Sequence, residues 1–165
     1  MLHITYGQTG TFYVTTEEKR FNISVASTNI RLLFKFTNDM DKRVVYAYGQ
    51  EQVHKDAIRT YQRYTKVTIG HHATENVFTG KVNFKPFGYW KYEIYEVSWI
   101  SDSIELGSGT APINENTVLD VEDENGIVQG KVETGKLYVT ETDGSEQITY
   151  TEHPEPSGTN YIWTN

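Results

Sequence analysis

Apolar and polar residues alternate with a period of two along most of the first hundred positions. Phe21, Ile23 and Val25 take every second place over Phe21–Val25, and Leu32, Phe34 and Phe36 oppose Arg31 and Lys35 over Ile30–Thr37. Successive side chains leave a strand on opposite sides, so this pattern predicts strands with one face on a core. Leu2–Tyr6 and Thr11–Thr15 flank a turn at Gly7-Gln8-Thr9-Gly10. Val44–Tyr48 returns from a hairpin turn at Asn38-Asp39-Met40-Asp41. Strands are expected again at Tyr64–Ile69 and Val77–Phe84, joined by the polar stretch His71–Asn76. The stretch Gln50–Tyr64 breaks the rhythm. There Val53, Ala57, Ile58 and Tyr61 recur at helical spacing, which fits one short helix; an extended surface loop fits as well.

The densest segment is Tyr89–Ile100, after a turn at Pro86-Phe87-Gly88. It sets Tyr89, Tyr95, Val97 and Trp99 on one face and Trp90, Tyr92 and Ile94 on the other. A strand apolar on both faces is central, or has one face covered by a partner. About eight short strands with little helix predict an all-β first domain over residues 1–100, a β-sandwich of Ig-like or jelly-roll-like type. Residues 101–112, with Gly107-Ser108-Gly109-Thr110-Ala111-Pro112, read as a linker or long loop. Beyond them, short strands are expected at Val118–Val121, Val128–Val132, Leu137–Thr140 and Ile148–Thr151. Thr134-Gly135 separates two of these strands, and Asn125-Gly126 and Asp143-Gly144 suit primed hairpin turns. Residues 113–165 are therefore expected to form a small acidic β-meander domain. Its apolar content is thin, so it should lean on the first domain or on a partner.

Composition agrees with strands: twelve Tyr, seven Phe and three Trp accompany abundant Thr, Val and Ile. The chain has no cysteine, which excludes disulfides and thiolate metal sites and favours assembly in a reducing cytoplasm. Met1–Tyr6 lacks the basic-then-apolar design of a signal peptide, and no apolar run approaches the roughly 20 residues that cross a bilayer, so a soluble protein is expected. Charge is split unevenly. Residues 1–100 hold thirteen Lys/Arg against nine Asp/Glu, and residues 101–165 hold two against thirteen, for a net −7. A clustered Lys/Arg footprint of the kind that neutralises phosphates is missing, so nucleic acid is not the expected partner.

Catalytic signals are weak. His71 and His72 are adjacent, so on a strand they point to opposite faces and do not chelate one ion together. The acidic run Asp120, Glu122, Asp123, Glu124 lacks the spacing of a calcium loop and reads as a charged hairpin tip. Glu93 and Glu96 are three apart and face opposite sides of a strand, which is wrong for paired acid–base work. Nucleophile-elbow, phosphate-loop and dinucleotide glycine patterns are missing. The expectation is a binding or structural protein without cofactor, not an enzyme. The aromatic run Tyr89–Trp99 is either core or an interface or carbohydrate-binding platform, and Tyr161-Ile162-Trp163 adds an apolar terminus to an acidic segment.

Three stretches carry a resemblance: Gly126-Ile127-Val128-Gln129-Gly130-Lys131-Val132 with Gly135-Lys136-Leu137-Tyr138-Val139, then Pro154-Glu155-Pro156-Ser157-Gly158-Thr159-Asn160-Tyr161-Ile162-Trp163, and upstream Gly88-Tyr89-Trp90-Lys91-Tyr92-Glu93-Ile94-Tyr95-Glu96. Spread over residues 88–163, roughly half the chain, they resemble small virion proteins of tailed bacteriophages. The resemblance implies a multi-copy virion structural protein assembled in the bacterial host cytoplasm, foremost an auxiliary or decoration protein on the capsid shell. Its partners would be the major capsid protein or other virion proteins. A neck, tail-adaptor, baseplate or fibre component is the alternative, and a glycan-binding module the next. None of the motifs defines a catalytic residue. The interface candidates are Trp90, Tyr92, Trp99, Tyr161 and Trp163, with Lys81, Lys85 and Lys91 contributing charge.

Overall fold

A computed structural model describes residues 1–51 and 64–142. The described chain is all-β, with nine strands in two mixed sheets. The five-stranded sheet has the order β1 (Leu2–Thr5), β9 (Ile127–Thr140), β8 (Gly88–Ser98), β3 (Ile30–Asn38), β4 (Val44–Tyr48). The second sheet runs β2 (Thr9–Val14), β6 (Thr65–His71), β5 (Gln50–Glu51), with β7 (Lys81–Val82) also paired to β6. β1–β9 and β6–β7 are parallel, and the other pairs are antiparallel.

The alternation decides which residues meet between the sheets. Phe34, Phe36, Val45, Ala47, Trp90, Tyr92, Ile94, Leu137 and Val139 from the first sheet pack on Phe12, Val14, Val67, Ile69, Val82 and Phe84 from the second region. Phe84 meets Phe36 and Trp90 edge-on, at centroid distances of 5.1 and 5.7 Å. The one polar atom of buried Trp90 is satisfied, since its indole N–H donates to the Pro86 carbonyl at 3.1 Å. Glu133 ties the sheets together from β9: it accepts from the Tyr92 hydroxyl and from the Thr15 amide, both at 2.9 Å.

Several expectations need correction. Phe21–Val25 is not a strand, because its backbone is held by side chains instead. The buried Glu96 carboxylate accepts from the Phe21 and Asn22 amides, each at 2.9 Å, and Arg20 donates to the Asn22 and Val25 carbonyls. Val77–Phe84 contains only β7, since Asn76 accepts from the Phe78 and Thr79 amides and turns the chain. Gln50–Glu51 begins β5, and the rest of the expected helix, 52–63, lies outside the described residues, as do 143–165 with the Asp143-Gly144 turn and the strand at Ile148–Thr151.

The strands and turns expected between Val118 and Thr140 are also corrected. Val128–Val132 and Leu137–Thr140 are two ends of one strand, β9, which sits between β1 and β8 inside the main sheet. Gly135 does not make a turn. It makes room, because a Cβ there would come within 2.6 Å of the Tyr92 ring. Val118–Val121 is loop, and Asn125-Gly126 is not a hairpin turn: the Gly126 amide donates to the Thr110 carbonyl at 2.8 Å.

The stretch 101–112 is not a free linker. With residues up to Gly126 it folds over the outer face of the five-stranded sheet, where Ala111, Ile104 and Leu106 join Leu33, Tyr48, Val97 and Trp99 in a second core. The Tyr48 hydroxyl donates to the Pro112 carbonyl at 2.8 Å in a buried site, and burial pushes its pKa up. Trp99 lies against Gly126, where even a methyl group would collide with its ring. If this covering holds, Trp99→Ala removes a core side chain and costs about 3–5 kcal/mol in urea unfolding. A loss within about 0.5 kcal/mol would mean that 101–126 hangs free.

Candidate protein-binding face

The covering loop shields only one end of the outer face. Residues on β8 that point away from the main core begin with Tyr89, Lys91 and Glu93, and pairing extends each into a row across the sheet. The first row is His3–Tyr138–Tyr89, the second Lys136–Lys91–Thr37, and the third Thr134–Glu93–Lys35–Tyr46. The next row, Lys131–Tyr95–Leu33–Tyr48, already runs under the loop at Leu33 and Tyr48. The first two rows therefore stay open, and the third lies at the loop's edge, where Tyr46 packs against the covered core.

The open rows are internally ordered. His3 stacks on Tyr138 with centroids 6.0 Å apart, and Tyr138 meets Tyr89 at 4.8 Å. Tyr89 is nonetheless 54% exposed. Below them Glu93 is buried among lysines. Its Oε1 accepts from Lys91 Nζ at 3.1 Å and Lys131 Nζ at 2.9 Å, and Lys35 Nζ lies 4.0 Å from Oε2. Lys35 in turn donates to Glu115, which the covering loop contributes. Lys136 pairs with Asp39 from the β3–β4 turn.

These contacts fix the charge states. The Lys131 hydrogen bond, with help from Lys91, holds the Glu93 carboxyl below its ordinary pKa against the opposing effect of burial. Burial also opposes ionisation of Glu115, but hydrogen bonds from Lys35 and Tyr46 outweigh it and the pKa falls. Burial, then the adjacent Glu115, pushes the Tyr46 hydroxyl up to about 12, and Tyr95 rises chiefly by burial. The face therefore sets phenol rings among paired lysines. Chemically it suits a protein surface that brings carboxylates and apolar groups.

The sequence-derived candidates divide. Trp90, Tyr92 and Trp99 are core residues, so their rings offer no surface to a partner or a glycan. Their dense apolar run reflects a strand covered on both faces. Lys91 is on the open face. Lys81 is exposed on β7, and Lys85 sits 5.2 Å over the Tyr6 ring, away from the three rows. Tyr161 and Trp163 lie outside the described residues. His71 packs on Tyr6 at 3.9 Å, where burial lowers its pKa, while His72 Nδ1 engages the Thr74 backbone. The two rings do not converge. Glu96 binds backbone amides on the core side of β8 and Glu93 binds lysines on the other. Among the described residues no three His, Asp or Glu side chains gather to hold a metal. Residues missed by sequence reasoning are His3, Tyr138, Lys131 and Lys136, because only the β8–β9 and β1–β9 registers bring them beside Tyr89 and Lys91.

The lysine–glutamate cluster has a pH signature. Glu93 and Glu115 have folded pKa values below that of a free glutamate, so the stability they add is full above the free value and is lost as pH falls through the lowered ones. Glu93→Gln/Glu115→Gln should shrink the loss of stability between pH 7 and pH 3 by on the order of 1 kcal/mol, read from urea midpoints. An unchanged acid limb would refute the cluster. Comparison with protein-family models, curated proteins and solved structures found no match to this chain.

Proposed function

We propose that this chain is a non-enzymatic structural protein of a tailed-bacteriophage virion, an auxiliary or decoration protein bound to the capsid shell, with the open end of its five-stranded sheet taking a neighbouring virion protein. The observation that carries the reading is the half-covered outer face. One end is sealed by the protein's own loop, while the other presents Tyr89, Tyr138 and His3 beside Lys91 and Lys136 across three adjoining strands. Tyrosines supply large contact area at small entropic cost, and ordered lysines steer an acidic lattice into register. The resemblance of 88–96 and 126–139 to small virion proteins falls on β8 and β9, the strands that build this face.

The proposal takes the two-sheet body as a sandwich module of Ig-like or jelly-roll-like type. Many weak copies on a closed lattice act together, so each contact need not be strong. The alternative, a neck, tail-adaptor, baseplate or fibre component, uses the same face in a ring; microscopy of particles separates shell-wide copies from one vertex. The glycan reading has a specific observation too. Tyr13 and Tyr64 meet edge-on at 5.5 Å, both exposed, and line an open depression of about 270 Å³ on the second sheet. That pair, rather than Trp90 or Trp99, is the aromatic surface a sugar would meet.

Recombinant protein mixed with purified undecorated capsids should sediment with them. Tyr89→Ala/Lys91→Glu should weaken that binding by at least about tenfold, and Tyr13→Ala should not. Wild-type protein that stays in the supernatant overturns the proposal, and binding to a glycan array that Tyr13→Ala abolishes transfers it to the second sheet.

A further inference from the structure

We infer that the occupant of the Tyr89–Tyr138–Lys91–Lys136 face is the acidic turn 118–124 of a second copy of this chain, docked head to tail. The inference deepens the proposed function by naming the partner at that face, and rests on reading the face as protein-binding.

The loop has the opposite chemistry to the face. Its turn is built by its own hydrogen bonds: Asn125 Nδ2 donates to the Asp120 carbonyl, the Glu122 amide to the same carbonyl, and the Ser101 amide to the Asp123 carbonyl, each at 2.9 Å. This ordered turn holds apolar side chains out in water. Val118 is 92% and Val121 84% exposed. Around them stand the exposed Asp120, Glu122, Asp123 and Glu124. Burying two valines takes apolar surface out of water, which favours an intermolecular contact.

The face lacks what this loop carries. Lys91 and Lys136 are direct cross-strand partners, an arrangement of like charges that is unfavourable by itself. Glu93 and Asp39 each offset one of them from the side. Both lysine side chains are about half exposed, at 47% and 52%, and each ammonium has donors to spare for carboxylates arriving from outside. A template for the contact exists within one copy, where Glu115 of the same loop accepts from Lys35 of the same face.

A copy does not satisfy itself. The acidic turn is tied to Ser101, just past the end of β8, whereas Tyr89 and Lys91 lie at its start. Nine steps along the strand from Tyr89 to Ser98, at about 3.3 Å each, set the acidic turn roughly 30 Å from Tyr89. Complementary patches at opposite ends of one body make a heterologous contact. Such a contact extends into a row or closes into a ring rather than stopping at a symmetric pair.

Three variants test this by sedimentation velocity over a concentration series at low and high salt, with circular dichroism confirming the fold. The face variant is Lys91→Glu/Lys136→Glu, the loop variant Asp120→Lys/Glu122→Lys/Glu124→Lys, and Val118→Ser/Val121→Ser alters only exposed side chains. Wild type should pass through species beyond the dimer, shifting to smaller ones as salt rises. Each variant alone should associate at least tenfold more weakly. Face and loop variants mixed one to one should again assemble beyond the dimer, because the reversed loop of one is complementary to the reversed face of the other just as the intact loop is to the intact face. A wild type that stays monomeric, a series that stops at a dimer, or a face or loop variant that assembles like wild type overturns the inference. Capsid binding without self-association removes this inference and leaves the proposed function; self-association by protein that ignores capsids does the reverse.

Discussion

β8 carries apolar residues on both faces, and every other feature of the fold follows from the need to cover both. One face is covered conventionally: Trp90, Tyr92 and Ile94 meet the second sheet across the main core. The other would expose Leu33, Tyr48, Val97 and Trp99 to water, and no second layer of strands lies on that side among the described residues. The chain uses an irregular loop instead, 101–126, pinned by the Tyr48–Pro112 hydrogen bond and by the close seating of Trp99 on Gly126. A loop can cover this patch because its few apolar side chains are concentrated where the sheet is apolar.

The division between covered and open ends of the outer face also separates two kinds of chemistry. Under the loop the rows are aromatic and aliphatic. Past its edge they become lysine, glutamate, tyrosine and histidine, with Glu93 buried among three lysines at the boundary. A buried carboxylate with several ammonium partners fixes where those lysines point. The side chains left over for a partner are thereby held in place before it arrives. Binding a pre-arranged surface costs less ordering entropy than binding a loose one, which suits a protein acting through many modest contacts.

The period-two pattern in β2, β3, β4, β6 and β8 located those strands to within a residue or two, and marked β8 as central. What the pattern left open was which partner covers the second apolar face, since that depends on a loop whose residues look like a linker in isolation. Glycine misled in the same way. Gly135 and Gly126 resemble turn residues locally, but both are glycine because Tyr92 and Trp99 press against them from strands far away in sequence. The open face was half legible: Lys91 was singled out, while its neighbours Tyr138, Lys136 and His3 depend on β9 pairing antiparallel with β8 and β1 pairing parallel with β9, long-range pairings with no local signal. Trp90, Tyr92 and Trp99 were conspicuous because they are aromatic, and they are aromatic because they fill the two cores.

The central claim is that the uncovered rows of the five-stranded sheet are where another protein sits. A reconstruction of an assembled particle in which this chain is traced beside its neighbours tests it most directly. The account predicts density from a neighbouring subunit against Tyr89, Tyr138 and Lys91, with carboxylates placed at the lysines. Finding those side chains open to solvent, while some other surface of the chain makes the contacts, would contradict it.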